Sequence, residues 1–384
     1  MLRFLTSGES HGMALVGIIE GLPAGLRLVE DDINTMLSRR QRCYGRGNRM
    51  KKIEDDRVTI VSGVRNGLTI GSPLALYIEN KDWPNRKGRV PAPKRTPRPG
   101  HADLPGVLKY GFDDIQNVIE RASARETTIR TAIGAVAKRF LSEFDIAILG
   151  HVIRIGNKSS KASSQSIKDI LSRVESSPVY CADIKSSSAI CSEIDKALSA
   201  GDTLGGSFEV IVENIPPGLG TYVHWDRRLD ARLAHIIMSI PSVKAVEIGD
   251  GVKTASLPGS KVHDQLSEKE NAIIRKTNRA GGIEGGISNG NPIIVRGYVK
   301  PISSLRNPLA SVNLDTRQKI KAPYVRSDVC IVPAASVIGE ALVSWVIAEL
   351  FVEKFGGDSI REIRRNYDSY MSEIHSRIGK PRNR

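Results

Sequence analysis

The sequence predicts a protein of the α+β class. Segments with helical and with strand-like periodicity are both present, but they do not alternate in the regular strand–helix–strand order that builds a parallel sheet. Hydrophobic residues make up 40% and charged residues 26% of the 384-residue chain, which is typical of a soluble globular protein. A chain of this length can bury roughly three quarters of its unfolded surface, so a large core is expected.

The strongest helix prediction covers residues 123–141. Ser123 and Glu126 match a capping box, and apolar residues then recur on one helical face, namely Ile129, Ile133, Val136, Ala137 and Phe140. Further helices are predicted at about 31–39, from about Asp226 to Ile240, and at about 334–354. The last of these ends before Gly356 and Gly357.

The strand predictions are short segments rich in Val and Ile and bounded by Gly, Pro or Asn. They are Val58–Ser62, Leu74–Glu79, Phe208–Glu213, Ala245–Ile248 and Pro292–Val299. Residues 157–200 are rich in Ser and Lys and indicate no chemistry. The chain end, from about residue 375 to 384, is predicted to be a flexible tail.

The net charge of +14 is compatible with binding to three classes of partner: nucleic acid, an acidic membrane surface and an anionic small molecule. Much of the excess lies in two Gly- or Pro-rich loops, at about residues 39–52 and 81–98. They could be solvated basic loops or anion-binding loops. Aromatic residues are only 5% of the chain, and neither loop has the interleaved aromatics of a single-strand platform.

The apolar runs, cysteines and histidines of the sequence indicate where the protein is located and which chemistry it can support. No apolar run long enough to span a bilayer and no secretory leader is predicted, so a cytoplasmic location without membrane association is expected. Four cysteines without a CxxC pair are expected to be reduced thiols. The seven histidines are scattered, so no metal site is predicted.

Two histidines stand in glycine-containing turns. Gly8-Glu9-Ser10-His11-Gly12 allows a tight turn that leaves His11 accessible, and His101 ends the second basic loop in Arg98-Pro99-Gly100-His101-Ala102-Asp103. Histidine exchanges protons near neutral pH. Each turn could still be an incidental polar turn. A Ser-His-Asp hydrolase is disfavoured, because the sequence has no G-x-S-x-G elbow.

Two arginines, Arg121 and Arg125, lie at the N-terminus of the strongest predicted helix, which is called the helix mouth below. Free N–H groups and the positive end of the helix dipole attract anions there, and guanidinium groups bind phosphate and carboxylate through two parallel hydrogen bonds. The alternative is a capping box with surface arginines.

Three more segments are candidates for ligand contact. Residues 281–290 contain six glycines, which permit close backbone approach to a ligand, but they match neither nucleotide-binding motif. Lys300 to Ser304 follow the next predicted strand and offer a cation and two hydroxyls. Asp328 precedes the last predicted helix, where a carboxylate can act as a base.

Taken together, these segments resemble the chorismate synthase family in order and spacing. The matching segments are GESHG, RRQRCYGRG, RPGHAD, RASARET, MSIPSVKAVEIGDG, GGIEGGISNG, KPISS and VRSDVCIVPAAS. They run from residue 7 to about residue 340, so the resemblance covers most of the chain. It implies a single domain over residues 1–384 with a β-α-β sandwich fold, in which helices lie between antiparallel sheets.

The resemblance also implies a function. The family eliminates phosphate from 5-enolpyruvylshikimate 3-phosphate in an anti 1,4-elimination that gives chorismate, a step of aromatic amino acid biosynthesis by the shikimate pathway. It requires reduced FMN without net redox change. NADPH is then an indirect reductant, acting through an external flavin reductase. The usual assembly is a homotetramer. No nucleic acid partner is implied.

The resemblance carries residue roles to matching positions. His11 matches an acid near the leaving phosphate, His101 a residue that protonates the reduced flavin, and Asp328, helped by Ser10, a carboxylate that handles a flavin proton. Positions that match substrate or NADP contacts are Arg40, Arg46, Arg49 and Arg125. Positions that match FMN contacts are Arg121, Ala122, Ser123, Pro241, Ser242, Gly285, Lys300, Pro301, Ile302, Ser303, Ser304 and Arg326. Two departures concern Pro241-Ser242, more often Asn-Ala or Gln-Ala, and Ser327, where many members have His.

These implications agree with the basic loops. A substrate with one phosphate and two carboxylates, bound beside a flavin phosphate, requires many cations to offset Coulomb repulsion. Two alternatives remain: a basic nucleic-acid-binding protein, and a flavin oxidoreductase with net hydride transfer. Salt-dependent nucleic acid binding would favour the first, and stoichiometric NADPH consumption the second.

Overall fold

The computed structural model describes residues 1–45, 56–88, 91–162, 165–325 and 328–379. Within these ranges the helices are α1 (Glu30–Gln41), α2 (Trp83–Arg86), α3 (Asp103–Tyr110), α4 (Ile115–Ala122), α5 (Thr127–Ser142), α6 (Ile167–Ser176), α7 (Ile184–Ala200), α8 (Leu229–Met238), α9 (Gly259–Val262), α10 (Val332–Phe355) and α11 (Ile360–Ile378). Short 3₁₀ helices cover Ala124–Glu126, Trp225–Arg227 and Gly251–Ser256.

The strands are β1 (Arg3–Ser7), β2 (Ala14–Glu20), β3 (Val58–Ser62), β4 (Val64–Arg65), β5 (Leu68–Thr69), β6 (Leu74–Glu79), β7 (Ala147–Ile155), β8 (Lys158–Ser159), β9 (Gly206–Glu213), β10 (Val243–Ile248), β11 (Leu266–Lys269), β12 (Ala272–Arg275), β13 (Ile283–Glu284), β14 (Ile287–Ser288), β15 (Ile293–Val299), β16 (Ala310–Val312) and β17 (Lys319–Lys321). Two larger sheets form from them. Sheet 1 has the order β1-β2-β6-β3 and sheet 2 the order β10-β15-β9-β7-β8, with antiparallel pairing throughout.

Helices α1, α5 and α10 lie between the two sheets. The inner face of sheet 1 packs on α5, where Gly17 of β2 faces the side chains of Ile129 and Ile133. Sheet 2 packs on α10, because Gly297 of β15 and Gly339 of α10 leave room for the ring of Phe208, and a Cβ at either position would overlap that ring. One continuous apolar core therefore joins both sheets and the helical layer.

This arrangement confirms the predicted fold class, with helices between antiparallel sheets. The predicted strands Val58–Ser62 and Leu74–Glu79 have the observed bounds, and the predicted helices at 31–39, 226–240 and 334–354 correspond to α1, α8 and α10. The Ser- and Lys-rich segment at 157–200 contains α6 and α7, and Asp183 caps α7 through the N–H groups of Lys185 and Ser186.

One sequence prediction about a helix end is wrong. Ser123 does not complete a capping box: its hydroxyl accepts the N–H of Arg125 and caps the 3₁₀ turn, while the regular helix begins at Thr127. Residues 375–378, where the predicted tail starts, form the last turn of α11. Residues 380–384 lie outside the described part of the chain.

The prediction that no apolar segment could span a bilayer is also wrong in one respect. Helix α10 is long and apolar enough by length and composition, but 89% of its most apolar 18-residue window is buried inside the protein. Its apolar character on all sides follows from its position between α5 and sheet 2, since a helix enclosed on every side has no polar face to expose.

Candidate active site

The turn that carries His11 is attached to the C-terminal end of α4. The N–H of Ser10 donates to the carbonyl of Glu120 at 2.8 Å. The N–H of His11 donates to Glu120 Oε2 at 2.8 Å, and His11 Nδ1 lies 3.0 Å from Glu120 Oε1. The predicted acid is thus held against a carboxylate that is 109 residues away in sequence.

The charge state of Glu120 follows from these contacts. Burial alone would raise the pKa of the carboxyl, but the hydrogen bonds from His11 and Gln116 lower this pKa to about 2. Glu120 is therefore ionised at neutral pH and faces the His11 ring with a full negative charge.

The predicted flavin contacts at the helix mouth lie beside this turn. Ser10 Oγ donates to Ser123 Oγ at 3.0 Å, and the Arg121 guanidinium donates to the carbonyls of Gly8 and Thr6 at 2.9 and 3.1 Å. The Arg121 side chain is 46% exposed, so it remains accessible to an anion. The structure therefore brings Ser10, His11 and residues 121–123 together.

Arg40 and Arg125 form a buried cationic pair behind the helix mouth. Arg40 donates to the Ala124 carbonyl and to Thr127 Oγ1, each at 3.0 Å. Arg125 donates to Asn80 Oδ1 and to Asp56 Oδ1, and Asp56 Oδ2 lies 3.6 Å from Arg40 Nη1. The Asp56 carboxylate therefore lies between the two guanidinium groups. Asn80 in turn donates to the carbonyls of Glu9 and Gly12, and so ties this pair to the His11 turn.

His101 is held by a second carboxylate. His101 Nδ1 lies 2.5 Å from Asp103 Oδ1. The Asp103 residue is 1% exposed, and its carboxylate also accepts two hydrogen bonds from the Arg98 guanidinium, at 2.8 and 3.0 Å. Although burial raises the pKa of Asp103, the hydrogen bonds from His101 and Arg98 lower it well below its usual range. Asp103 therefore stays ionised beneath the His101 ring.

The loop of His101 contacts two more predicted flavin-binding segments. Lys300 Nζ donates to the Gly100 carbonyl, and a Cβ on Gly100 would lie 3.6 Å from Ser303 Cβ. The N–H of Lys300 donates to the Ser242 carbonyl at 2.9 Å. Ser242 has φ of 72°, a left-handed conformation that non-glycine residues seldom adopt. The Pro241-Ser242 departure therefore still forms a tight turn against Lys300.

A side-chain contact links α5 to the segment that precedes the Pro241-Ser242 turn. Arg130 of α5 donates to Ser239 Oγ at 2.5 Å, which is two residues before Pro241. Lys94 lies at the start of α4, where its N–H donates to Asp114 Oδ1 at 2.8 Å and its carbonyl accepts the Ile115 N–H at 3.1 Å. Burial and the Arg98 cation lower the pKa of Lys94, and the charges of Asp114, Glu120 and Asp103 partly offset this.

Asp328 lies beside the C-terminal end of α1. The N–H of the next residue, Val329, donates to the Gly45 carbonyl at 2.8 Å. Ser304 exchanges hydrogen bonds with the backbone of Val325 at 2.8 and 2.9 Å, and its segment includes the other predicted contacts Pro301 and Ile302. Arg46, Arg49 and Arg326 lie outside the described residues.

Gly285 is a predicted contact that the structure places apart from the Pro241-Ser242 turn. Its turn joins β13 and β14, and the neighbouring Gly286 carbonyl accepts the N–H of Leu229 at the start of α8. Pro241 and Ser242 follow the other end of α8, and a ten-residue helix separates its ends by about 15 Å.

Sequence reasoning assigned no role to Glu120, Asp103, Asn80 or Asp56. Asp103 was open to detection, because it lies two residues from His101 in the same motif. Glu120 and Asn80 contact the His11 turn across 109 and 68 residues, and no sequence spacing indicates such pairs. No group of three or more His, Cys, Asp or Glu side chains able to hold a metal ion occurs among the residues that the structure describes.

Comparison with known proteins agrees with this geometry. A family model described as chorismate synthase matches residues 2–352. The chain is 52% identical to a chorismate synthase 1 of Bacillus cereus, over 96% of this chain and 98% of that protein. It is 50% identical to chorismate synthase of Acidobacterium capsulatum, over 97% and 99%. A crystal structure of chorismate synthase superposes with a TM-score of 0.81 at 40% identity and covers 98% of both chains. The chain therefore belongs to the chorismate synthase family.

Proposed function

We propose that this chain is a carbon–oxygen lyase that eliminates phosphate from 5-enolpyruvylshikimate 3-phosphate to give chorismate, with reduced FMN as cofactor. The observation that carries the proposal is the position of two histidine–carboxylate pairs beside a set of cations. Family membership over nearly the whole chain supports the same reaction.

The residues present fit a phosphate-bearing flavin. The ammonium of Lys300, the partly exposed guanidinium of Arg121 and the hydroxyl of Ser303 are donors suited to a phosphate. Together with Ala122, Ser123 and the Pro241-Ser242 turn, they would hold the cofactor. When bound, reduced FMN lends electron density to the substrate and recovers it. Gly285 lies apart from the Pro241-Ser242 turn, at the other end of α8.

The chain's own contribution is electrostatic and acid–base. The guanidinium groups of Arg40 and Arg125 are buried beside Asp56 and would stabilise an anion in a region from which water is largely excluded. His11 would donate a proton to the departing phosphate, which makes it a better leaving group. His101 would hold a proton for the reduced cofactor, and Asp328, helped by Ser10, would handle a proton of the flavin.

The assembly and its surroundings belong to the same proposal. Leu5 and Val61 on sheet 1 are 71% and 65% exposed in the single chain, which favours burial of that face in a homotetramer. The four cysteines are free thiols, which fits a reducing cytoplasmic compartment. Reduced FMN would come from an external flavin reductase that uses NADPH.

An anaerobic assay of phosphate release tests the function. Purified protein with substrate and a catalytic amount of reduced FMN should release many phosphates per flavin. Consumption of one reductant per product would instead indicate net hydride transfer. No release with reduced FMN would contradict the proposal.

Variants of the two histidines assign their roles in the same assay. His11→Ala and His101→Ala should each lower kcat at least about 10-fold, because proton transfer contributes roughly 100- to 10,000-fold. His375→Ala, on α11, is the control and should leave kcat unchanged. Wild-type turnover in either test variant would remove that histidine from the mechanism.

A further inference from the structure

Glu120 holds the His11 turn at three points. Its backbone carbonyl accepts the Ser10 N–H, its Oε2 accepts the His11 N–H, and its Oε1 faces His11 Nδ1 at 3.0 Å. The His11 and Glu120 side chains are 19% and 22% exposed. A bidentate carboxylate that binds both the backbone and the ring of one histidine fixes the position and the rotation of that ring.

The ionisation of Glu120 decides which ring nitrogen carries the proton. Hydrogen bonds from His11 and Gln116 outweigh burial and keep the carboxyl ionised at neutral pH, since its pKa is about 2. A carboxylate can only accept hydrogen bonds. The proton between Oε1 and Nδ1 therefore resides on Nδ1.

The opposite tautomer is disfavoured by the same contacts. If Nδ1 were unprotonated, its lone pair would face a carboxylate oxygen at 3.0 Å, and a charge-assisted hydrogen bond would be lost. Gln116 Nε2 could then donate to Nδ1, but that distance is 3.4 Å, which is long for such a bond. Gln116 instead donates to Glu120 Oε1.

We propose that Glu120 is a positioning residue that holds His11 in the Nδ1–H form and so assigns proton exchange with the substrate to Nε2. The proposal rests on the proposed role of His11 as the acid. Nδ1 keeps its proton throughout the cycle. In the doubly protonated imidazolium, Nε2 gives its proton to the leaving phosphate, which leaves the neutral Nδ1–H tautomer, and Nε2 then regains a proton from solvent.

Solid-state ¹⁵N NMR of the full-length protein, labelled at histidine, measures the tautomer directly. Spectra are recorded without substrate or cofactor, at a pH where the rings are neutral, and the His11 signals are assigned by their loss in His11→Gln. We expect a protonated, pyrrole-type Nδ1 and an unprotonated, pyridine-type Nε2. An unprotonated Nδ1 in the wild-type protein would overturn the proposal.

Glu120→Ala provides the second test. Loss of the acceptor should shift the His11 ring toward the Nε2–H form that histidine prefers in water, and kcat should fall at least about 10-fold. An unchanged His11 spectrum, or an unchanged kcat, would also overturn the proposal. If this variant does not fold, the wild-type spectrum still decides the tautomer.

Glu209→Ala is the matched control. Glu209 lies 3.1 Å from His151 in sheet 2, and both side chains are fully buried, so this variant also removes the carboxylate of a histidine pair. It should lower the melting temperature but leave the His11 signals and kcat unchanged at a temperature where the protein is folded. An equal loss of kcat in both variants would assign the effect of Glu120 to stability alone. The spectra need no turnover, so failure of the proposed reaction and failure of this tautomer assignment are separate results.

Discussion

Glu340 tests how strongly buried charge holds the helical layer together. Its carboxylate lies on α10 and is fully buried. It accepts hydrogen bonds from the Arg39 guanidinium of α1 at 2.8 and 2.9 Å and from the Lys138 ammonium of α5 at 2.5 Å. It also accepts the N–H of Gly150 in β7 at 2.8 Å. One side chain therefore links two helices and sheet 2 to the helix that carries it, and Glu340→Gln removes its charge with little change in shape.

The magnitude follows from the ionisation of this group. Burial raises the pKa of Glu340, but Arg39 and Lys138 lower it from the ordinary 4.5 to about 2. A shift of this size corresponds to about 3 kcal/mol. Breaking a buried ion pair by removing one partner costs about 3–5 kcal/mol, since the remaining charges lose their counterion. We therefore expect Glu340→Gln to lower the free energy of unfolding by about 3 kcal/mol.

Urea unfolding followed by circular dichroism measures this loss. Glu349→Gln on the same helix is the control. Burial raises the pKa of Glu349, and Arg232 lies 3.9 Å away, so its carboxylate contributes little. A loss below about 1 kcal/mol is expected there. A similarly small loss for Glu340→Gln would refute the reasoning.

The effect of pH gives a second check on Glu340. Since folding lowers its pKa, the stabilisation is complete above about 4.5, the unfolded value, and is lost as the pH falls through about 2. The difference in stability between the wild-type protein and Glu340→Gln should therefore shrink in acid. A difference that stays constant down to pH about 2 would contradict the assignment.

Three further variants test the site and the core. Arg125→Ala should raise the substrate KM at least about 10-fold, because it removes a buried cation while the Asp56 carboxylate beside it remains. An unchanged KM in steady-state kinetics would contradict its role in binding. Asp328→Asn should lower kcat at least about 10-fold, while flavin binding measured by fluorescence should persist. Full activity of this variant would exclude Asp328 as a base. Gly134→Ala should lower the free energy of unfolding in urea by about 1–3 kcal/mol, since the added Cβ would overlap the Ala341 carbonyl where α5 crosses α10. An unchanged unfolding midpoint would argue against close packing there.

Local patterns in the sequence were sufficient for the elements that carry the core. Residues Val58–Ser62 and Leu74–Glu79 form strands with the predicted bounds, and the apolar run after residue 332 forms α10. These features depend on neighbours in the chain, since alternation and helical periodicity reflect which faces of a segment are buried. The end of a helix depends on a few capping atoms, so the predicted capping box at Ser123 and Glu126 failed while the helix itself was present.

The sequence by itself determined the α+β class, the family resemblance and the two histidine motifs. Only the tertiary structure decided that Glu120 meets His11, that Arg39 meets Glu340 across 301 residues, and that Gly285 lies at the far end of α8 from Ser242. The physical reason is that hydrogen bonds and ion pairs act over a few ångströms in space. Their partners come from separate elements, and which elements meet is set by the burial of apolar faces between the two sheets.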